Sequence, residues 1–364
     1  MKKPLPGIIR TFVFPAAVSL FLTLFTGCPS PTAHIPETVV YAAGGIVNDS
    51  DEYFAAYWKN GEVVVLTESP LLSWAMDIFI SGNDVYVSGA TVDENGKSSA
   101  VYWKNGTIFE LTDGEFDAEV NDIYVSGSDV YVAGYERNGE GVRVAKYWKN
   151  GTPTPLTDAT CDAEAHGIFV SDNTVYTTGF ESTGVGNAGH HVAKYWKNSS
   201  DVTIGATDGT THSTGNSIFV SGDNVYVAGW KLTGQENFVE YWKADIENGN
   251  ILTDEILTDG ATASAKGVFV SDNDVFISGS VDNESGKSVP TYWENGTASS
   301  LSQGLYSAYA SDICVFNDDV YVAGYEETND SHLSVAEYWK NGSVTELGNE
   351  YASSWAASIF VVTE

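Results

Sequence analysis

Basic side chains are scarce in this chain. Its 364 residues carry 17 Lys and Arg against 49 Asp and Glu, a formal charge of −32 at pH 7. So acidic a surface repels phosphate backbones, which argues against nucleic-acid binding, and it offers no polybasic face to anionic lipid. Cysteine is rare too: Cys28, Cys161 and Cys314 cannot make a disulfide framework. Known catalytic motifs are missing, with no Gly-x-Ser-x-Gly, His-Glu-x-x-His or Cys-x-x-Cys. Gly96-Lys97-Ser98 and Gly286-Lys287-Ser288 mimic the end of a phosphate-binding loop, but Thr91 and Val281 stand where its first glycine belongs. Apolar residues are plentiful, however. At 43% hydrophobic and 13% aromatic, the chain can bury a large core and is not a disordered polyanion.

Residues 1–27 read as an export signal. Lys2, Lys3 and Arg10 form a positive start, and Thr11 to Phe25 form an apolar stretch too short to span a bilayer. Phe25-Thr26-Gly27-Cys28 resembles a bacterial lipobox, with Phe25 where Leu is usual. The resemblance implies cleavage before Cys28 and lipid attachment to its thiol. Pro29 after the cysteine is not the Asp that retains some lipoproteins at the inner membrane, so the resemblance favours the outer membrane. Residues 28–37 are then a lipidated tether, rich in proline and small polar residues. The mature chain, with 14 bases and 49 acids, carries −35 and is expected to be a self-repelling monomer.

The rest is one unit repeated. Tyr-Trp recurs at Tyr57-Trp58, Tyr102-Trp103, Tyr147-Trp148, Tyr195-Trp196, Tyr241-Trp242, Tyr292-Trp293 and Tyr338-Trp339, with tryptophan spacings of 45, 45, 48, 46, 51 and 46. A Val-Tyr-Val-Ala-Gly element and an Ile-Phe-Val element repeat with it, as in Val130-Tyr131-Val132-Ala133-Gly134 and Ile168-Phe169-Val170. Each unit therefore holds four short strands, a to d; in the third they are expected at 122–126, 130–135, 142–149 and 153–157. Asn150-Gly151 joins c to d in the pattern of a tight hairpin. Four antiparallel strands every 46 residues or so are the pattern of a propeller blade.

The chain ends complete the count. Val39 to Gly44 is a strand b with no strand a before it, and Ile359 to Val362 is a strand a with no strand b after it. Paired, they make one blade. Residues 38–364 are thus predicted to form an all-β, seven-bladed β-propeller closed by its N- and C-terminal strands. The rhythm of Val-Tyr-Val-Ala-Gly, Tyr-Trp-Lys-Asn-Gly and Ile-Phe-Val resembles secreted bacterial propeller repeats, loosely including HAF-type extracellular repeats. That resemblance implies architecture and leaves activity open.

The repeated residues read as structural. The seven tryptophans are expected to pack between blades. The Asn and Asp of the a–b turns are expected to be turn formers, with an acidic, weakly calcium-binding ring as the functional alternative. Cys314, within a strand a, reads as a buried apolar thiol.

Function is sought where blades differ, in the b–c and d–a connections of one face. Four residues before each Ile-Phe-Val core stand Trp74, Glu119, Glu164, Thr214, Ser264, Tyr309 and Trp355; two residues later stand Met76, Asn121, His166, Asn216, Lys266, Ser311 and Ala357. Tyr309, Trp355 and Trp74 fall on successive blades, followed by Glu119 and Glu164. Aromatic platforms beside carboxylates suit sugar rings, or a cation. His166, His190, His191 and His212 gather on one blade and its borders and are the candidate ligands for a divalent metal; no other cofactor is expected.

These readings make the chain a lipid-anchored cell-envelope protein, non-enzymatic, that binds a glycan by preference or a protein partner. One alternative is an envelope glycan hydrolase or lyase with Glu119 and Glu164 as its acid/base pair. The other is a structural or assembly scaffold.

Overall fold

The computed structural model describes residues 37–67, 72–184, 189–258, 262–328, 333–348 and 350–364. The export segment, Cys28 and the tether up to residue 36 lie outside the described residues. Every described element is a strand. They form seven four-stranded antiparallel sheets, each sequential except one. Blades 1 to 6 begin at inner strands Leu72–Ser81, Ala118–Ser126, Ala163–Ser171, His212–Ser221, Ala263–Ser271 and Ala308–Phe316. Blade 7 is composite: Ser353–Thr363 pairs with Thr38–Val47, followed by Tyr53–Lys59 and Glu62–Val65. The predicted closure is therefore present, from Thr38↔Thr363 to Val47↔Ser353. Glu37 and Glu364 exchange backbone hydrogen bonds at 3.0 Å, and Glu364 also accepts from Lys59 Nζ at 2.8 Å and from the Tyr41 hydroxyl.

Blade-to-blade packing explains the repeated aromatics. Trp58, Trp103, Trp148, Trp196, Trp242, Trp293 and Trp339 are each at most 2% exposed. Trp148 of blade 2, for example, packs among Tyr86 and Ala100 of blade 1 and Ile123 and Val132 of its own. Burying such a ring contributes roughly 4–6 kcal/mol of transfer free energy before ordering costs.

The a–b and c–d turns form a repeated clasp. In blade 1 Asn105, at φ 50°, accepts a hydrogen bond from Val85 N at 2.8 Å and donates to Asp84 at 2.7 Å. Lys104 pairs with Asp84 at 2.8 Å and lies over the Tyr86 ring. The same set recurs as Asn150, Asp129, Lys149 and Tyr131, and as Asn341, Asp319, Lys340 and Tyr321. Asn and then Gly suit the left-handed backbone of this turn. The turn aspartates Asp84, Asp129 and Asp319 are thus paired to lysine and asparagine.

The inner strands are longer than the alternation suggested. In the third unit strand a begins at Ala118, four residues before its expected start at 122. The cause is a β-bulge. In all seven blades the register of strand a slips once, at Met76, Asn121, His166, Asn216, Lys266, Ser311 and Ala357. One extra residue breaks the period of two and bends the strand toward the axis.

Candidate functional site

The bulge organises the axis into layers. Opposite it stands the glycine of Val-Tyr-Val-Ala-Gly. A Cβ on Gly89, Gly134, Gly179, Gly229, Gly279 or Gly324 would strike the carbonyl oxygen of Trp74, Glu119, Glu164, Thr214, Ser264 or Tyr309. Only glycine lets the bulged backbone approach this closely. The extra residues then ring the mouth of the central channel, and the residues after them form the next layer: Asp77, Asp122, Gly167, Ser217, Gly267, Asp312 and Ser358.

That second layer ties neighbouring blades together. Asp77 accepts from Ile123 N of the next blade at 2.9 Å, Asp122 from Ile168 N at 2.6 Å, and Asp312 from Ile359 N at 3.0 Å. The single Ser358 hydroxyl lies within hydrogen-bonding distance of both Asp77 and Asp312. These carboxylates occupy one arc, on blades 6, 1 and 2. Burial pushes Asp122 well above the usual carboxylate range and Asp312 up to about 7, and the charge of Asp77 adds to both. One layer deeper, rings of Phe79, Tyr124, Phe169, Phe219 and Phe269 meet at a tilt with centroids 4.8–5.0 Å apart, and Phe360 meets Phe79 at 4.9 Å. Cys314 holds the seventh place in this collar. It lines the 280 Å³ apolar end of the channel, and burial raises its thiol well above the ordinary value.

On the variable face the aromatic rim is wider than expected. Each rim residue of strand a is paired in register with the residue after the strand-b glycine: Glu119 with Tyr135, Glu164 with Phe180, Thr214 with Trp230, and Tyr309 with Tyr325. The Tyr309 and Tyr325 rings lie 4.9 Å apart at 32°. A 340 Å³ hollow between blades 5 and 6 is walled by Tyr309 and Tyr325 and holds Lys266, Asp282, Asn237 and Ser288. Across Tyr325 a second hollow, of 380 Å³, is lined by Glu327, Ser334 and Trp355. Both fall in the size range of small-molecule sites. Trp355 is half-buried, laid across the bare face of Gly45 and tilted against Tyr53 at 6.1 Å. Trp74 is also half-buried, on the following blade. The sequence reading missed Tyr325, although the varied position after an unvarying glycine was there to be read.

A still larger cleft, of 730 Å³, lies at the closure seam on the other face. Its Lys59, Tyr41 and Glu364 are already bonded to one another, so it offers a ligand little.

Glu119 and Glu164 stand in different surroundings. Burial raises Glu119, against a hydrogen bond from Tyr135. Burial also pushes Glu164 upward, but His166 and Arg143 outweigh it and hold the group below its ordinary value. Arg143 bonds Glu164 directly and reaches Asp162 at 3.6 Å. His166 Nε2 lies 3.1 Å from Glu164, while Nδ1 faces Gly215 O at 3.2 Å.

The four histidines do not share a centre. His166 belongs to the channel mouth. His191 stacks on Phe180 at 3.8 Å, and burial, with the charges of His212 and Arg143, pushes it down to about 4. His212 Nδ1 accepts from His191 N at 3.3 Å, so neutral His212 carries its proton on Nε2 and donates to His190 Nδ1 at 3.0 Å. Among the described residues no group of three or more His, Cys, Asp or Glu is arranged to hold a metal.

No protein-family model matches the chain, and no curated protein matches it. Among solved structures it is similar to the periplasmic gluconolactonase of Pseudomonas aeruginosa. That likeness has 12% identity and TM-score 0.50, over 90% of this chain and 99% of that one. It is also similar to a Mycobacterium tuberculosis puromycin-hydrolyzing peptidase, with 11% identity and TM-score 0.51, over 77% of this chain and 47% of that one. The chain thus spans about half the peptidase's length. At these identities the likeness is one of fold alone.

Proposed function

We propose that this protein binds carbohydrate on the variable face of its propeller, in the paired hollows either side of Tyr325. The observation that carries this reading is the wall between them. Tyr309 and Tyr325 lie ring to ring at 4.9 Å, one hollow holding Lys266, Asp282 and Asn237 and the other Glu327 and Trp355. Aromatic faces take the CH face of a sugar, and the flanking amide, hydroxyl and carboxylate groups take its hydroxyls. Trp74 and Glu119 extend the same rim. Glu164 is engaged by Arg143 and His166 and serves to position its surroundings.

The address follows from the sequence: export by residues 1–27 and lipid attachment at Cys28 of an envelope protein of the secreted-repeat type. A Cys28→Ala variant is expected to lose incorporation of labelled fatty acid. The binding test is a screen of the full-length protein in detergent against bacterial and host glycans, beside a Tyr325→Ala, Trp355→Ala variant. Binding by the parent and not by the folded variant supports the reading, and no binding at millimolar glycan refutes it.

The hydrolase or lyase alternative is favoured by the unlike surroundings of the two carboxyls: Arg143 and His166 bond Glu164, while burial raises Glu119. Release of reducing ends from a bound glycan, abolished by Glu119→Gln, would establish it.

A further inference from the structure

In so acidic a chain cations have partners. Lys59, Lys104, Lys149 and Lys340 pair with carboxylates of the closure seam and turn clasps. Lys146, Lys194, Lys231 and Arg143 meet glutamates. Lys97, Lys197 and Arg137 donate to backbone carbonyls, Lys243 lies over Tyr226, and Lys287 is also engaged. Among the described residues one cation is left without a partner, Lys266.

Its position is as unusual as its isolation. Lys266 is the extra residue of the blade 5 bulge, and it lines both the channel mouth and the 340 Å³ hollow beside Tyr309 and Tyr325. The carboxylates one layer below are held by backbone N–H groups of their neighbouring blades. Solvent reaches the Lys266 side chain through the mouth, yet protein surrounds it closely enough that burial alone, with no neighbouring charge contributing, lowers its pKa. The ammonium is exposed at the wall of the hollow with no counter-ion beside it, so it is open to an anionic group of a ligand.

We propose that Lys266 recognises a carboxylate, so that the ligand of this hollow is a carboxylate-bearing sugar such as a uronic acid. This rests on the carbohydrate reading above. The acid group sits at the axial end, on the ammonium, and the ring lies along Tyr309 and Tyr325. Its hydroxyls face Asp282, which stands at the rim and already accepts from Ser288 Oγ at 2.6 Å. A single lysine is a point charge that balances one monoanion. Phosphate and sulfate sites more often recruit the arginine fork or several backbone N–H groups, and Asp282 would repel a second negative charge.

The test is calorimetric titration of the full-length protein in detergent with D-glucuronate, D-glucose and acetate, repeated on Lys266→Met and Lys266→Gln. Glucuronate is expected to bind about tenfold or more tighter than glucose, the factor expected of one charged hydrogen bond. Both variants are expected to erase that preference. Equal affinities in the parent, or a preference that survives in a folded variant, overturn the assignment while leaving the carbohydrate reading intact. Acetate binding that needs Lys266, without sugar binding, upholds the anion site and overturns the carbohydrate reading. Failure of all three probes overturns both.

Discussion

The two faces of this propeller use the same side chains differently. On the turn face, asparagine, aspartate, lysine and tyrosine recur in step and satisfy one another, as Asn105, Asp84, Lys104 and Tyr86 do in blade 1. On the opposite face the same strands end in residues that differ from blade to blade, and polar groups are left over. Among the described residues Lys266 has no partner, where Lys104 has two. A repeat under one geometric constraint spends its polar residues on closing its own turns. Where the constraint ends, a side chain is free to meet something else. The contrast predicts that substitutions on the first face cost stability and those on the second cost binding.

The largest effect belongs to closure, which both faces share. Removing residues 359–364 deletes the pairs from Thr38↔Thr363 to Ala42↔Ile359 and leaves the edge of residues 38–42 unpaired. A loss of cooperative melting is expected in calorimetry; an unchanged transition would refute the closed ring. Next comes the bulge. Gly134→Val places a branched side chain against the Glu119 carbonyl and is expected to cost about 3 kcal/mol or more in urea unfolding. Smaller again is the clasp, where Asn150→Ala removes two side-chain hydrogen bonds and places alanine at φ 50°, for about 1–2 kcal/mol.

Stability should also depend on pH. Burial pushes Glu240 from 4.5 up to about 8, beside Lys231 at 3.1 Å, and raises Glu337 to about 7. These groups keep their protons in the folded state after the unfolded chain has released them. Their stabilisation is complete below about pH 4.5 and is lost as pH rises through about 7–8. The clasp aspartates Asp84, Asp129 and Asp319, held low by lysine and asparagine, act in the opposite sense and lose stability below about pH 4. Melting temperature is therefore expected to fall between pH 5 and 8, and Glu240→Gln to flatten that fall. A variant with an unchanged slope would show that Glu240 ionises freely in the folded protein.

Most of the architecture was legible because it was written seven times. Strand order, tight hairpins, tryptophan packing and terminal closure all followed from spacing and turn chemistry. Two features escaped for a shared reason. The bulge adds one residue, so alternation fails where strand a begins, and residues 118–121 read as loop. The same irregularity hid the channel layers, because Asp77, Asp122 and Asp312 lie one residue from the aligned ring. Of the candidate site, Tyr309 and Trp355 were named and now line adjacent hollows. Tyr325 was not, since strand b had been read as uniform. Of the four histidines, His190, His191 and His212 do meet, but the His212 nitrogens bond His190 and a backbone N–H instead of converging with the others on one point, and His166 stands apart at the channel mouth.

The division of labour between the faces is tested most directly by one paired measurement. Melting temperature and glycan affinity would be recorded on the same preparations of Asn150→Ala and of Tyr325→Ala, Trp355→Ala. The account predicts that the clasp variant melts earlier and binds like the parent, while the rim variant melts within a few degrees of the parent and no longer binds. A rim variant that unfolds, or one that binds unchanged, would contradict it.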